Sequence, residues 1–473
     1  MTVACLWTLA AVAEATGGRI AGDPAPEYSG IAIDSRTVGR GDLFVAIAGD
    51  RFDGHDFVES AIAGGAGAGL VLEDKAEALE RKGLPLIVVP DAFEGLRDLA
   101  RAARARTSAK VVAVTGSVGK TSTREAIRHA LSAIGRTHAS VKSFNNHWGV
   151  PLTLARMPED TEFAVIEIGM NHAGEITPLT QMTRPHVAMV TTVAPAHLEF
   201  FDSVAGIAHA KAEIFEGLGP GGMALIGLGH EHEAILRDAA AAHGATILTY
   251  GRADNADIRI VSETSGPTAS GRIDVRGEAV DVTLDQAGGH ALFNAAGALA
   301  VASAVGADVK RCAEALSAMK AVEGRGAVHQ LGRITLIDES YNANPASMRA
   351  ALSVLHDTPA SQGRRIAVLG DMLELGPQSA KLHAELSQAV INSGVQKVYL
   401  VGGHMARLAE ELPAPLVAAH ANSTAEISPK VLNSLAFGDV IMVKGSLGVG
   451  LGGLVNDIRA RFASEPGKTP PAK

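Results

Sequence analysis

A chain of 473 residues has room for about three domains of ~150 residues, and 47% apolar content with 52 glycines suits α/β layers joined by many strand-to-helix turns. Net charge is −9, from 42 basic and 51 acidic side chains, and no basic block is present to track a nucleic-acid backbone, so no nucleic-acid partner is expected. The two cysteines, Cys5 and Cys312, support neither a disulfide framework nor a thiolate metal site, and no apolar run approaches the ~20 residues that span a bilayer.

The opening stretch, MTVACLWTLAAVAEATGG, is apolar and contains A-V-A, as a secretion signal would. It has no basic start, Glu14 interrupts it, and Leu6, Leu9, Ala10 and Ala13 follow helical spacing. An amphipathic helix closed by Gly17 and Gly18 is expected instead, in a cytoplasmic protein. From Ile31 come short strands punctuated by Gly and Asp, then a helix over FVESAIAGGA, strands GLVL and PLIVVP, and a helix over FEGLRDLARAARART. The first domain, 1–107, is expected to end in the polar segment ahead of Lys110.

Residues 111–123, VVAVTGSVGKTST, carry the clearest chemistry. The β-branched run 111–114 reads as a buried strand, and Thr123 opens the helical pattern REAIRHALSAIG. Between them Gly116 and Gly119 let the backbone bend tightly and bring the N–H groups of Ser117 and Val118 close to an anion. Lys120 supplies a mobile positive charge, and the hydroxyl of Thr121 or Ser122 can reach a magnesium ion. The common Walker A pattern would need glycine where Val114 stands, so the motif is the shorter G-x-x-G-K-T. Its expected ligand is a nucleoside triphosphate.

Strands FAVIEIG, HVAMVTTV, MALIG and ATILTY then alternate with helices over SVAGIAHAKAEIFEGL and HEAILRDAAAAHG, which implies a parallel sheet covered on both faces. After Tyr250 the runs DIRIVSE, GRIDVRG and AVDVTLDQ have period two and suggest a small antiparallel insertion. Helices over 294–305 and 309–319 close a central domain, 108–321. A third α/β domain, 322–464, holds strands ITLIDE, RIAVLG, KVYLVGG and DVIMVKG, with helices beginning near Asn344, Ser379, Ser423 and Leu454. The proline-rich tail, 465–473, is expected to be disordered.

In an open parallel sheet, ligands sit at the carboxyl ends of strands. Glu167, ending VIEIG, and His197, after VAMVTTV, fall at the same edge as the phosphate loop and could complete a magnesium shell with Thr121. Glu199 in the same loop is expected to face water. Spacing alone makes Lys211 and His209 ordinary solvated helix residues.

The strings T-G-S-V-G-K-T-S, E-I-G-M-N, A-H-L-E and A-K-A-E-I-F together resemble the Mur ligase family, the ATP-dependent amino-acid ligases of peptidoglycan precursor synthesis. D-S-R at 34–36, G-D-L-F-V-A-I-A-G-D-R-F-D-G-H-D-F, N-N-H-W-G-V-P-L-T-L at 145–154, S-Y-N-A-N-P-A-S-M at 340–348 and L-G-D-M-L-E-L-G at 369–376 resemble the branch that adds D-alanyl-D-alanine to UDP-N-acetylmuramoyl-tripeptide. The resemblance implies a small N-terminal α/β domain, a central P-loop ATPase-like sheet and a C-terminal Rossmann-like domain. It also implies ligation through an acyl phosphate, with ATP and magnesium as cofactors and a monomeric enzyme.

Residue by residue, the resemblance makes Lys211 a carbamylated metal-site lysine with His197 and Glu167 as companions, and Lys120, Lys211, His197 and Glu167 the catalytic set. Asn294 matches a position near adenine, Arg325 the arginine that reaches the γ-phosphate, and Asp338 an acid near the ribose. Ser35 and Arg36 match the uridine segment, Asn145, Asn146 and His147 the diphosphate and sugar region, and Asn342 and Asn344 the dipeptide side. One departure stands out: K-G-S is followed here by L-G-V-G-L-G-G, where the family usually has arginine and later methionine and glutamate. The alternatives are the related ligase that adds the preceding diamino acid, a folate polyglutamylating ligase, and a nucleotide-dependent regulatory protein without catalysis.

Overall fold

The structure is a computed structural model that describes residues 5–49, 52–141, 143–196, 198–264, 268–332, 334–360 and 363–462. The expected tail, 465–473, and the metal candidate His197 lie outside the described residues.

The expected first helix runs Leu9–Thr16, capped by the Thr8 hydroxyl and closed by Gly17 at φ 63°, a left-handed position suited to glycine. Behind it stands a five-stranded sheet in the order Arg19–Ala21, Leu86–Val89, Ala68–Leu72, Asp42–Val45 and Gly30–Ala32. All its pairs are parallel except the first. The helix Ala92–Arg106, capped by Asp91, turns Leu96, Leu99 and Ala103 into this core and leads to the next section.

A nine-stranded sheet follows among the described residues, with Lys110–Thr115 flanked by Val187–Val190 and Phe163–Glu167. Every residue of Lys110–Thr115 except Lys110 is buried, as a strand covered on both faces requires. The period-two runs form strands Ile258–Thr264, Ala269–Val275 and Glu278–Leu284. They are no separate insertion: Tyr250 pairs in parallel with Ile258, so the first of the three prolongs the parallel sheet and the other two add to it as antiparallel strands. Helix Gly289–Val305 lies against their inner face and begins five residues before the expected start, which places Asn294 in its second turn. The edge strand Thr137–Ala139 and the helices Gly149–Ala155 and Ile176–Thr183 were not expected.

The last sheet has six strands in the order Ala327–Leu331, Ile334–Glu339, Val440–Lys444, Arg365–Gly370, Lys397–Val401 and Val417–Ala421. Only its first pair is antiparallel. Sequence reading missed its two outer strands, which are short, mostly half-buried and interrupted by His329, Gln330 and His420.

The three sheets are joined by packing as well as by chain. Trp7 Nε1 donates to Ala155 O at 2.8 Å and Arg156 Nε to Ile31 O at 2.7 Å, tying the first section to the second. One apolar cluster contains Val190 and Leu198 of the second section with Met348 and Met372 of the third. No helix among the described residues is long and apolar enough to cross a membrane.

Candidate active site

The turn after Lys110–Thr115 is shaped by two glycines. At Gly116, φ is 152° and a Cβ would come 1.9 Å from Thr191 Oγ1; at Gly119, φ is 87° and a Cβ would come 3.0 Å from Asn294 Oδ1. Only glycine fits both places without displacing a neighbour. With Gly119 left-handed, the helix begins at Lys120 rather than at the expected Thr123, so its first turn, Lys120, Thr121 and Ser122, carries free N–H groups to the sheet edge. Strand Val187–Val190 pins the turn from beside: Ser117 N donates to Thr192 O at 2.8 Å, and Thr191 Oγ1 to Val118 O at 2.7 Å. The hydroxyl of Ser117 is buried without a partner among the described residues.

Around the turn opens a cavity of about 840 Å³, a size suited to a nucleotide-scale ligand. Its central-domain wall includes 117–122, Asn145, Glu167 and Asn294, and its facing wall includes Arg325, Glu339, Tyr341, Asn342, Asn344, Glu374 and Lys444. Thr121 Oγ1 donates to Glu167 Oε1 at 3.1 Å, and Asn145 Nδ2 reaches the same oxygen at 2.8 Å. The other carboxylate oxygen, Oε2, takes Arg124 Nε at 3.4 Å, and both charged side chains are buried. Asn294 Oδ1 accepts from Thr123 Oγ1 at 3.1 Å, so this asparagine braces the phosphate helix while lining the cavity.

Positive charge is concentrated here. Lys120 Nζ folds across the turn to donate to Gly116 O at 2.6 Å; burial and the Arg325 guanidinium lower its pKa, opposed by Glu167 and Glu374. Lys211, on helix Val204–Ala212, is 1% exposed rather than solvated, and burial with the nearby Lys120 ammonium lowers its pKa well below the usual lysine range. No hydrogen bond or ion pair joins its Nζ to another described residue. Burial also lowers the pKa of Arg325, whose guanidinium lies 4.1 Å over the Tyr341 ring, against the favourable pull of Glu167. An anion joining Lys120 and Arg325 would offset the desolvation that partial burial imposes on them.

The structure brings Gly116, Ser117, Val118, Gly119, Lys120, Thr121, Ser122, Asn145, Glu167, Asn294, Arg325, Asn342 and Asn344 to this one region. Asp338 is different. It is 3% exposed, does not line the cavity, and spends its carboxylate on Gly324 N at 2.9 Å and on the hydroxyl of Ser340 at 2.7 Å, bracing the turn that carries Arg325. Asn344 caps helix Pro345–Asp357 through a reciprocal pair with Ser347. Ser35 and Arg36 sit in a separate 3-10 turn, where Arg36 pairs with Asp34 at 2.7 Å on the surface of the first section. Asn146 Oδ1 accepts from Gly149 N, and exposed His147 meets the Phe93 ring edge-on at 5.8 Å, where the first two sections join. Glu199 is exposed, as expected.

Sequence reading did not single out several cavity residues. Lys444, 2% exposed, bridges Glu339 at 3.2 Å and Asn342 O at 2.9 Å. Glu374 adopts a left-handed backbone, φ 63°, at a cost of roughly 1–2 kcal/mol. His290, at the first turn of helix Gly289–Val305, is held toward neutrality by burial. Lys444 and Glu374 lie in the K-G-S and L-G-D-M-L-E-L-G strings, and the doublet Thr191-Thr192, just past a strand beside the phosphate turn, is a further local hint.

This architecture matches known proteins along its length. Models of the Mur ligase family catalytic domain, the Mur ligase middle domain and the Mur ligase glutamate ligase domain match residues 27–104, 114–302 and 324–447. A UDP-N-acetylmuramoyl-tripeptide–D-alanyl-D-alanine ligase of Rickettsia prowazekii (strain Madrid E) is 34% identical over 428 residues, covering 90% of this chain and 94% of that protein. A crystal structure of MurF from Acinetobacter baumannii superposes with a TM-score of 0.84 at 29% identity, covering 96% of this chain and 99% of that one. The MurF ligase from Thermotoga maritima in complex with ADP superposes with a TM-score of 0.77 at 26% identity, over 92% and 97% of the two chains. With all three sections matched in order and a relative of that identity spanning nine-tenths of its length, the chain belongs to the Mur ligase family.

Proposed function

We infer that this chain joins D-alanyl-D-alanine to UDP-N-acetylmuramoyl-tripeptide at the expense of ATP, giving the pentapeptide precursor of peptidoglycan. The observation that carries the reading is the pair of half-buried cations, Lys120 and Arg325, that line a cavity of nucleotide size at a glycine turn, with the buried Lys211 amine near Lys120. A polyanion offsets the desolvation that is the main cause of their lowered pKa values. The name of the Rickettsia relative supplies the amino and carboxyl partners, and the ADP complex of the Thermotoga enzyme supplies the nucleotide.

The turn N–H groups and Lys120 would hold the outer phosphates, and Arg325 would meet them from the facing wall. The γ-phosphoryl group passes to the terminal carboxylate of the tripeptide, ADP leaves, and the dipeptide amine attacks the acyl phosphate to expel inorganic phosphate. Charge rises on the transferring group, so electrostatic stabilisation is the main contribution asked of these side chains. The donors fit magnesium: Thr121 and Glu167 are hard oxygen ligands side by side on the wall, with His197 their expected companion. Bound there, the metal would neutralise charge on the phosphates. A buried Lys211 amine with a lowered pKa is suited to add carbon dioxide and release a proton, and the carbamate would place an anion near Lys120 and an oxygen ligand at the metal.

On this reading 1–107 holds the nucleotide sugar through Ser35, Arg36 and the 145–147 segment, 108–321 holds ATP, and 322–464 presents the dipeptide near Asn342 and Asn344. Mass spectrometry of a mixture of ATP, magnesium, UDP-N-acetylmuramoyl-tripeptide and D-alanyl-D-alanine tests it. The pentapeptide with ADP is the expected product. ADP without ligated product, or ligation only of a free diamino acid to the dipeptide precursor, would overturn it.

A further inference from the structure

Arg325 reaches the central wall from a turn that belongs to the third sheet, and the fixing of that turn is visible bond by bond. Gly324 N donates to Asp338 Oδ2 at 2.9 Å, Gly326 N to Asp338 O at 2.9 Å, and Tyr341 N to Gly324 O at 3.2 Å. Gly324 has φ 74°, and a Cβ there would come 3.0 Å from the Tyr341 Cβ, so turn and tyrosine are pressed together. The backbone under Arg325 is therefore set, but its long side chain is not. Its guanidinium carbon lies 4.1 Å over the Tyr341 ring, which removes most of the remaining freedom.

The same tyrosine touches the other domain. Tyr341 Oη and Ser143 Oγ share a hydrogen bond of 2.6 Å. Ser143 stands two residues before Asn145, whose amide holds Glu167, which in turn accepts from Thr121 of the phosphate helix. A continuous path thus runs from Arg325 through Tyr341 and Ser143 to the metal-facing carboxylate.

We propose that Tyr341 is a positioning residue: its ring carries the Arg325 guanidinium as the C-terminal domain moves, and its hydroxyl, by meeting Ser143, sets where that guanidinium stops relative to the phosphate loop. The inference rests on the reading above that Arg325 serves the outer phosphate. The stack lies wholly within the third section and persists in any domain arrangement, whereas the hydroxyl bond exists only when the two walls meet. Its loss is therefore felt in the closed, reacting complex and not in the initial capture of ATP.

The test is steady-state kinetics on the full chain with Tyr341→Phe, Ser143→Ala, the double variant and Arg325→Ala. Tyr341→Phe keeps the ring and removes only the hydroxyl. Each single variant is expected to lower kcat about three- to tenfold, the value of one hydrogen bond, with KM for ATP nearly unchanged. The double variant should lose no more than Tyr341→Phe alone, because that change already removes the bond to Ser143 along with the hydroxyl's own interaction with Arg325. Losses that multiply, a KM effect without a kcat effect, or full activity of Tyr341→Phe would overturn the proposal. Full activity of Arg325→Ala would instead sink the reading of Arg325 itself, so the two failures are told apart.

Discussion

The phosphate-loop wall of the cavity is drawn from consecutive residues, 116–122, whereas the facing wall gathers Arg325, Glu339, Tyr341, Glu374 and Lys444 from the ends and turns of separate strands. The first wall is shaped by local stereochemistry: two positive-φ glycines and a helix start determine where each N–H points. The second owes its position to how one sheet lies against another, through contacts such as Ser143 with Tyr341. A substitution on the first wall should therefore remove the chemistry, and one on the second should tune it.

Lys120→Ala gives the largest expected effect, a loss of about 10²–10³-fold or more in kcat, as for other preorganised charge donors. Retention of most of the activity would break the comparison at its first wall. Gly116→Ala comes next: a Cβ 1.9 Å from Thr191 Oγ1 in a positive-φ site should cost roughly 1–3 kcal/mol in a denaturant titration and remove ATP binding as the turn shifts. Unchanged stability would mean that the turn is far softer than its geometry implies.

These effects follow what could be read in the chain itself. The phosphate turn was legible because strand, glycines, lysine and helix are neighbours in sequence; only the helix start was misplaced, since left-handed Gly119 lets the helix begin before its apolar period does. Lys211 was not legible from spacing, because its neighbours do not show that another layer will cover it. Nor was the bracing part of Asp338, whose partners at Gly324 and Ser340 lie in a loop with no periodic pattern. The motifs that resemble the Mur ligases supplied the residues that periodicity could not.

Arg36→Ala sharpens the comparison from outside the cavity. Its side chain is exposed on the first section, paired only with Asp34 among the described residues. KM for the nucleotide-sugar substrate should rise roughly tenfold with kcat and ATP affinity unchanged, the signature of uniform binding. A fall in kcat alone would place Arg36 in the chemistry instead.

The smallest effect expected is on stability. Burial and Lys120 lower the Lys211 pKa, so between that lowered value and the unfolded value of about 10.4 the unfolded chain binds the extra proton. In bicarbonate-free buffer, stability should rise with pH across that window and lose the gain as pH falls. Lys211→Met should flatten the slope by up to about 1.4 kcal/mol per pH unit. An unchanged slope would show that Lys211 keeps an ordinary ammonium.

The central claim is that the cavity cations Lys120 and Arg325 stabilise transfer of a phosphoryl group to a carboxylate. Turnover of tripeptide precursor labelled with ¹⁸O in its terminal carboxyl group, with ATP, magnesium and D-alanyl-D-alanine, tests it directly. One labelled oxygen per turnover should appear in inorganic phosphate, carried there by the acyl phosphate. Pentapeptide formed with unlabelled phosphate would contradict the account.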